Sequence, residues 1–341
     1  MHSALIHKIF KNTNCVSMDE FIRSALYDYE YGYYMNRMPF GATGDFITAA
    51  EISQLFGEII AVWVLYSWEK IGFPSKFALV ELGPGRGTLM SDIVRTLQNF
   101  DECFKALDIH LIEISPMLCE IQKHFLKNYQ VFWHKDITTI PELPVLFIAN
   151  EVFDALPIKQ FVYDAGIWKE NYVELKNNTL QVVQKDTNFI FDIASVMEGS
   201  VIEISDDGRV LLTLMENKIV KYGGAGIIID YGYTYPPPYV STIQSVKNHQ
   251  YNFFLKDIGK CDITAHVDFS FLQNNLQKVK SSIITQREFL YYFGIKERLK
   301  ILMNHSTKKQ QQELKSAFLR LTENMGTLFK VLMINYVIKE Y

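Results

Sequence analysis

The chain has 341 residues, 48% of them hydrophobic and 21% charged, with a formal net charge of −4. That length suits one large or two modest domains with a full core, and the near-balanced charge excludes an electrostatic footprint for nucleic acid or anionic lipid. Cys15, Cys103, Cys119 and Cys261 fall at no paired spacing, which speaks against a disulfide frame or a metal site and for a reducing compartment.

In chain order, the segment before Cys15 has neither a long apolar stretch nor an arginine-rich presequence, so no targeting signal is expected. Residues 17 to 30 alternate at helical spacing and predict a helix packed on the core. The tract Tyr27-Asp28-Tyr29-Glu30-Tyr31-Gly32-Tyr33-Tyr34 is unusually aromatic and supports two readings, interior packing or the wall of an active site. Gly41 and Gly44 frame a turn that holds Asp45, and Ser53 to Trp68 predicts a second helix. Its apolar run Ile59 to Trp68 is too short to span a bilayer and reads as buried, so no membrane insertion is expected.

The run Leu79-Val80-Glu81-Leu82-Gly83-Pro84-Gly85-Arg86-Gly87-Thr88 carries the most chemistry. An apolar stretch ends in an acid, glycines alternate with other residues, and a helix-compatible segment follows from Leu89 to Leu97. This order predicts a buried strand, a tight turn and a helix N-terminus, with glycine where the backbone needs positive φ or a ligand comes close. The spacing is Gly-x-Gly-x-Gly, not the Gly-x-Gly-x-x-Gly of a dinucleotide fingerprint, and the lysine of a Walker loop is missing.

A second apolar run, Ile109 to Ile112, ends at Glu113, where a carboxylate can take paired ribose hydroxyls. Ser115-Pro116 then starts a helix as N-cap and first helical residue. Gln130 to His134 leads to Asp136, at the place of an adenine contact, and Val145 to Ala149 delivers Asn150-Glu151-Val152-Phe153-Asp154 to the same edge. Taken singly, each acid reads as a solvated loop residue or cap. Together, at successive strand ends where open α/β sheets bind ligands, they mark a site.

From 158 to 205 the pattern turns to short β-rich runs, with Asn177-Asn178 as a hairpin turn. Val210 to Lys221 predicts a helix, Ile227 to Asp230 a strand, and Pro236-Pro237-Pro238 a loop. A second excursion, about 240 to 280, carries His249 and His266; the last strands are Ser282 to Thr285 and Leu328 to Ile334, separated by helices containing Ile295 to Met303 and Gln310 to Glu323.

The glycine run with its leading acid resembles motif I of S-adenosylmethionine (SAM) methyltransferases. The wider set of motifs resembles the MidA-like family of SAM-dependent protein methyltransferases, the group that includes the mitochondrial complex I assembly methyltransferase. The matching segments are Gly44 to Thr48 with Glu51 to Gln54, Val80 to Leu89, Glu113 to Pro116, Asn150 to Pro157, Asp230 to Gly232 and Asp262 to Phe269. Ala50 stands where the family usually has proline and Val152 where an aromatic is common; the first could loosen the N-terminal loop, and neither touches a presumed SAM contact.

This resemblance implies an α/β fold: a Rossmann-like seven-stranded sheet with an antiparallel final strand, N-terminal helices and inserted cap segments. It divides the chain into an N-terminal helical or lid region, 1–76, and a methyltransferase domain, 77–341, with insertions at about 158–205 and 240–280. SAM is the implied cofactor, held by Glu81, Gly83, Pro84, Gly85, Gly87, Thr88, Glu113, Ile114, Asp136, Ile137 and Asn150. Gly44, Asp45 and Thr48 either close on its methionine end or cap a turn. Glu151 and Asp154, with Asn150 beside them, are the catalytic candidates: carboxylates suit a guanidinium, and the alternative is that they cap a short helix at Ala155. Aromatics of the 27–34 tract would flank the guanidinium plane, and His266 is either structural or a general base. The implied reaction is arginine N-methylation of a protein partner, a respiratory complex I subunit, in the cytoplasm of a bacterium or the mitochondrial matrix of a eukaryote. A small-molecule or other protein acceptor, and an assembly chaperone that keeps a SAM pocket, stay open; glycine spacing disfavours an NAD dehydrogenase.

Overall fold

Strand β1 (Phe77–Leu82) is buried at every position in the computed structural model, as a strand covered on both faces must be. Beside it lie β2 (Leu107–Ile112), β3 (Val131–His134), β4 (Val145–Asn150), β5 (Gly224–Tyr233), β6 (Ser281–Thr285) and β7 (Phe329–Ile334), in spatial order β3-β2-β1-β4-β5-β7-β6. Neighbours from β3 to β5 pair in parallel, and β7 runs antiparallel to both β5 and β6. The expected α/β class, with its antiparallel final strand, is the one that forms. The structure describes residues 2–37, 48–189, 191, 196–237, 239–247 and 250–335.

Local chemistry sets the helices. Ser53 caps α1 (Gln54–Lys70), its hydroxyl accepting the Leu55 N–H at 3.2 Å. Gly87 caps α2 (Thr88–Leu97), and Ser115 caps α3 (Pro116–Phe125) with proline at the first position. The helix expected over residues 17–30 is Met18–Tyr27; it stops where the Asp28 carboxylate accepts the Glu30 and Tyr31 N–H groups, both at 3.0 Å, offering the backbone a turn in place of another helical bond. The helix expected from Val210 begins earlier, at Asp206, because the Ser205 hydroxyl accepts the Gly208 N–H at 3.0 Å. Buried Glu58 on α1 accepts two hydrogen bonds from Arg298, at 2.8 and 2.9 Å, and so ties α1 to the helix Ile295–Asn304.

The chain divides into two compact units. The sheet unit comprises Ile47–Phe153, Leu211–Gly232 and Phe269–Tyr341. Whereas the sequence reading draws its first boundary at residue 76, this unit begins at Ile47, since Phe56, Ile60, Trp63 and Val64 of α1 share one core with Leu79, Ile93, Ile148 and Ile229. The other unit comprises Met1–Phe46, Asp154–Val210 and Tyr233–Asp268. There Lys159–Asp164, Ile167–Lys176, Thr179–Asp186 and Val201–Ile204 form an antiparallel sheet joined by Cys15–Ser17. The Asn177-Asn178 pair makes its hairpin turn with φ of 50° and 61°, the double positive φ of a type I′ turn. Its core gathers Phe21, Ala25, Leu26, Tyr33, Val173 and Ile263. Among the described residues no helix is long and apolar enough to cross a membrane.

Ile148 sits mid-strand in β4, fully buried and registered against Glu81 and Ile227. Ile148→Ala should lower unfolding free energy by about 2–5 kcal/mol, read as a lower denaturant midpoint at unchanged slope; a parent-like midpoint would contradict this packing.

Candidate functional site

Between β1 and α2 the chain turns over Gly83–Gly87. Gly83, Gly85 and Gly87 have φ of 57°, 54° and 84°, a region that glycine enters without steric cost. A Cβ on Gly83 would also stand 2.9 Å from Val152 Cγ2, so this turn and the one after β4 approach closely. The Gly83 N–H donates to the Ile112 carbonyl at the end of β2 (3.0 Å), and the Gly87 N–H to the Pro84 carbonyl (2.7 Å). Arg86 pairs with Glu51 at 3.3 Å and lays its guanidinium over Phe125, 5.2 Å from the ring centroid.

Two buried acids end the adjoining strands. Burial pushes the Glu81 carboxyl up to about 8; the Met90 N–H pulls against that and the nearby Glu113 charge adds to it. Glu113 accepts the Ser115 N–H at 2.8 Å on one oxygen and the Gln122 amide at 2.9 Å on the other. Burial raises its pKa, and these donors lower it. The Ile114 N–H lowers it as well; a carboxylate has about four acceptor sites, so capacity for a ligand hydroxyl remains. Ile114 follows directly, an apolar side chain left 41% exposed beside a buried acid. Past β3, exposed Asp136 accepts the Thr138 N–H at 2.6 Å and caps the turn Ile137–Thr139; hydrogen bonds from Thr138 hold its carboxyl below the usual range, and Ile137 is buried.

The turn after β4 is pinned from β5. Fully buried Asp230 accepts the Val152 and Phe153 N–H groups at 3.2 and 3.0 Å, and the Glu151 N–H donates to the Ile229 carbonyl at 2.9 Å. Glu151 itself has φ of 53°, a conformation that costs a non-glycine residue on the order of 1–3 kcal/mol and collects at functional positions. Its Oε1 accepts the Ala49 N–H at 2.8 Å and the Asn150 amide at 3.2 Å.

The structure thus brings Glu81, Gly83, Pro84, Gly85, Gly87, Thr88, Glu113, Ile114, Asp136, Ile137, Asn150 and Glu151 to the C-terminal ends of four neighbouring parallel strands, with Thr48 alongside through the Ala49–Glu151 bond. Asn150 Oδ1 and Glu81 Oε2, both buried, find no hydrogen-bond partner among the described residues. Orphaned buried polar atoms of this kind call for a partner from a ligand, and SAM carries an ammonium group that can donate and ribose hydroxyls that can donate or accept. The glycine cradle, the strand-end acids and these unpartnered atoms fit that molecule.

Other expected residues lie elsewhere. Gly44 and Asp45 fall outside the described residues, as does His249. Thr48 precedes the turn Ala49–Ile52 but its side chain makes no capping bond. Asp154 belongs to the other unit, where its carbonyl accepts the Ala265 N–H at 2.9 Å. No helix forms at Ala155, so Glu151 and Asp154 cap none there. In the aromatic tract Tyr27 and Tyr34 stack at 5.7 Å and Tyr33 is fully buried, whereas Tyr29 and Tyr31 face solvent. His266 accepts the Gln244 amide at 3.0 Å on Nε2, and burial lowers its pKa.

Two residues were missing from the sequence-derived site. Asp230 was visible only as part of a matching motif. Gln122 had a signal of its own: it lies on the buried stripe Leu118–Gln122–Leu126, where an uncharged polar side chain needs an explanation.

Glu81 carries a pH prediction. Its carboxyl ionises near 4.5 when unfolded and near 8 when folded, so the folded state holds the extra proton between those values. Stability from this group is full below the lower value and drains as pH rises toward the upper one, by up to about 1.4 kcal/mol per pH unit. Glu81→Gln should flatten the fall in thermal midpoint between about pH 5 and pH 8; an unchanged slope would remove Glu81 as its source.

Comparison with known proteins agrees with this geometry. Residues 59–285 match the family described as “Putative S-adenosyl-L-methionine-dependent methyltransferase”. The chain is 32% identical to a Xenopus tropicalis protein named protein arginine methyltransferase NDUFAF7, mitochondrial, over 96% of this chain and 85% of that one. Its Drosophila melanogaster homolog is 31% identical over 94% of this chain and 82% of that protein. A Burkholderia thailandensis superfamily member, a candidate methyl transferase crystallised with S-adenosyl-homocysteine, superposes with a TM-score of 0.86 at 23% identity, covering 99% of this chain and 92% of that one, and so shares the fold. With most of its length matched and a glycine turn flanked by strand-end acids, the chain belongs to the SAM-dependent methyltransferase family.

Proposed function

We propose that this methyltransferase acts on arginine side chains of a protein partner, a subunit of respiratory complex I (NADH dehydrogenase), and thereby supports assembly of that complex. The observation that carries the reading is the turn after β4: Glu151, held at positive φ and oriented by Asn150 and the Ala49 N–H, stands on a turn whose Val152 meets the glycine loop. The shared name of the relatives supports arginine on a protein, and the family resemblance supplies complex I. The compartment in this reading is the mitochondrial matrix in a eukaryote, the relatives being named mitochondrial, and the cytoplasm in a bacterium.

SAM, when bound, supplies an electrophilic methyl group on a sulfonium, so the protein's task is placement, worth on the order of 7–11 kcal/mol. The glycine loop and Glu113 hold the donor, with Gly44, Asp45 and Thr48 assigned to its methionine end. Glu151 binds the guanidinium, which stays protonated in proteins, and receives the proton that its nitrogen sheds on methylation. Asp154 is the second carboxylate that the sequence nominates for this role.

Glu151→Gln keeps an oxygen for the Ala49 N–H but removes the charge. Turnover on the partner should fall by about 100-fold or more, while SAM affinity stays within about threefold, under ~1 kcal/mol. A partner with lysine in place of the target arginine should go unmodified, because an ammonium lacks the planar paired donors. Mass spectrometry of the captured partner reads both. Full activity in Glu151→Gln, or methyl groups only on lysine or a small molecule, would contradict the assignment; capture without methylation would favour a scaffolding role.

A further inference from the structure

We infer that Gln122 is a positioning residue for the SAM site: its buried amide locks the glycine loop to the carboxylate that holds the ribose. The side chain is 0% exposed and reaches three separate segments. Its Nε2 donates to the Gly85 carbonyl at 2.8 Å and to Glu113 Oε2 at 2.9 Å, and its Oε1 accepts the Trp133 indole N–H at 3.0 Å. The partners fix the amide's orientation without ambiguity. Two acceptors face the nitrogen and an obligate donor faces the oxygen, so a flipped amide would oppose all three.

Two consequences follow for a ligand. The Gly85–Arg86 peptide is planar and trans, so holding the Gly85 carbonyl toward Gln122 aims the Arg86 N–H to the opposite side of the loop. Glu113, meanwhile, is gripped on both oxygens, by Gln122 and by the Ser115 N–H. A carboxylate fixed before binding loses little freedom when hydroxyls arrive. Gln122 touches no reacting atom in this arrangement; it acts through Gly85 and Glu113.

The inference rests on the family's use of SAM and is tested by binding, without any acceptor. S-adenosylhomocysteine is titrated by calorimetry into the parent, Gln122→Met, Trp133→Phe, Glu113→Ala and the Gln122→Met/Glu113→Ala double variant. Gln122→Met keeps volume and removes both donors, and should weaken binding about tenfold or more. Trp133→Phe removes the indole donor that sets the amide, together with part of a half-buried ring packed on the core, and should weaken binding about threefold. Because Gln122 works through Glu113 as well as through Gly85, the double variant should lose clearly less affinity than the sum of the two single losses. Parent-like affinity in Gln122→Met and Trp133→Phe, or fully additive losses in the double variant, would overturn the positioning role and leave Gln122 a packing residue. No binding by the parent would overturn the SAM reading itself, and this inference with it.

Discussion

The turn from β1 to α2 has to bring the chain out of a fully buried strand and into a helix while leaving its backbone open to a ligand. Gly83, Gly85 and Gly87 achieve this by entering the left-handed region at alternate positions, which side-chain-bearing residues would resist. The loop is then fixed from outside. β2 holds Gly83 through the Ile112 carbonyl, and α3 holds Gly85 through Gln122. Glu81 and Glu113 are consequently buried at the strand ends, where desolvation keeps both pKa values raised and makes a cationic or hydroxyl-bearing ligand a welcome neighbour.

A second turn repeats the logic with different parts. After β4 the chain is caught by a buried carboxylate, Asp230, that satisfies two consecutive N–H groups, and Glu151 takes the strained backbone position. Contact between Val152 and the glycine loop makes the two turns depend on each other. Changes at either turn should be felt at both, since a Cβ on Gly83 would stand 2.9 Å from Val152 Cγ2.

Much of this arrangement was legible because strand-end chemistry is local. A buried strand, its terminal acid and the following turn are contiguous, so Glu81, Gly83, Gly85, Gly87 and Glu113 could be placed by reading along the chain. What was not legible depends on partners far apart in sequence. The bond from Ala49 to Glu151 joins residues separated by 102 positions, and that from Asp230 to Val152 by 78. The expected boundary at residue 76 leaves α1 out of the sheet's own core for the same reason, since the run Ile59 to Trp68 reads as buried but the order of residues does not say what buries it. The short helix at Ala155, the alternative reading of Glu151 and Asp154 as caps, is a turn.

The account stands on the claim that the glycine turn is where SAM is held, and calorimetry on the parent and on Gly85→Val tests it most directly. Valine at a φ of 54° is strained and puts a branched side chain where backbone has to approach the ligand. The account predicts that the parent binds SAM and that Gly85→Val, still folded by circular dichroism, loses at least about 100-fold in affinity. Equal affinity in the two proteins would contradict it.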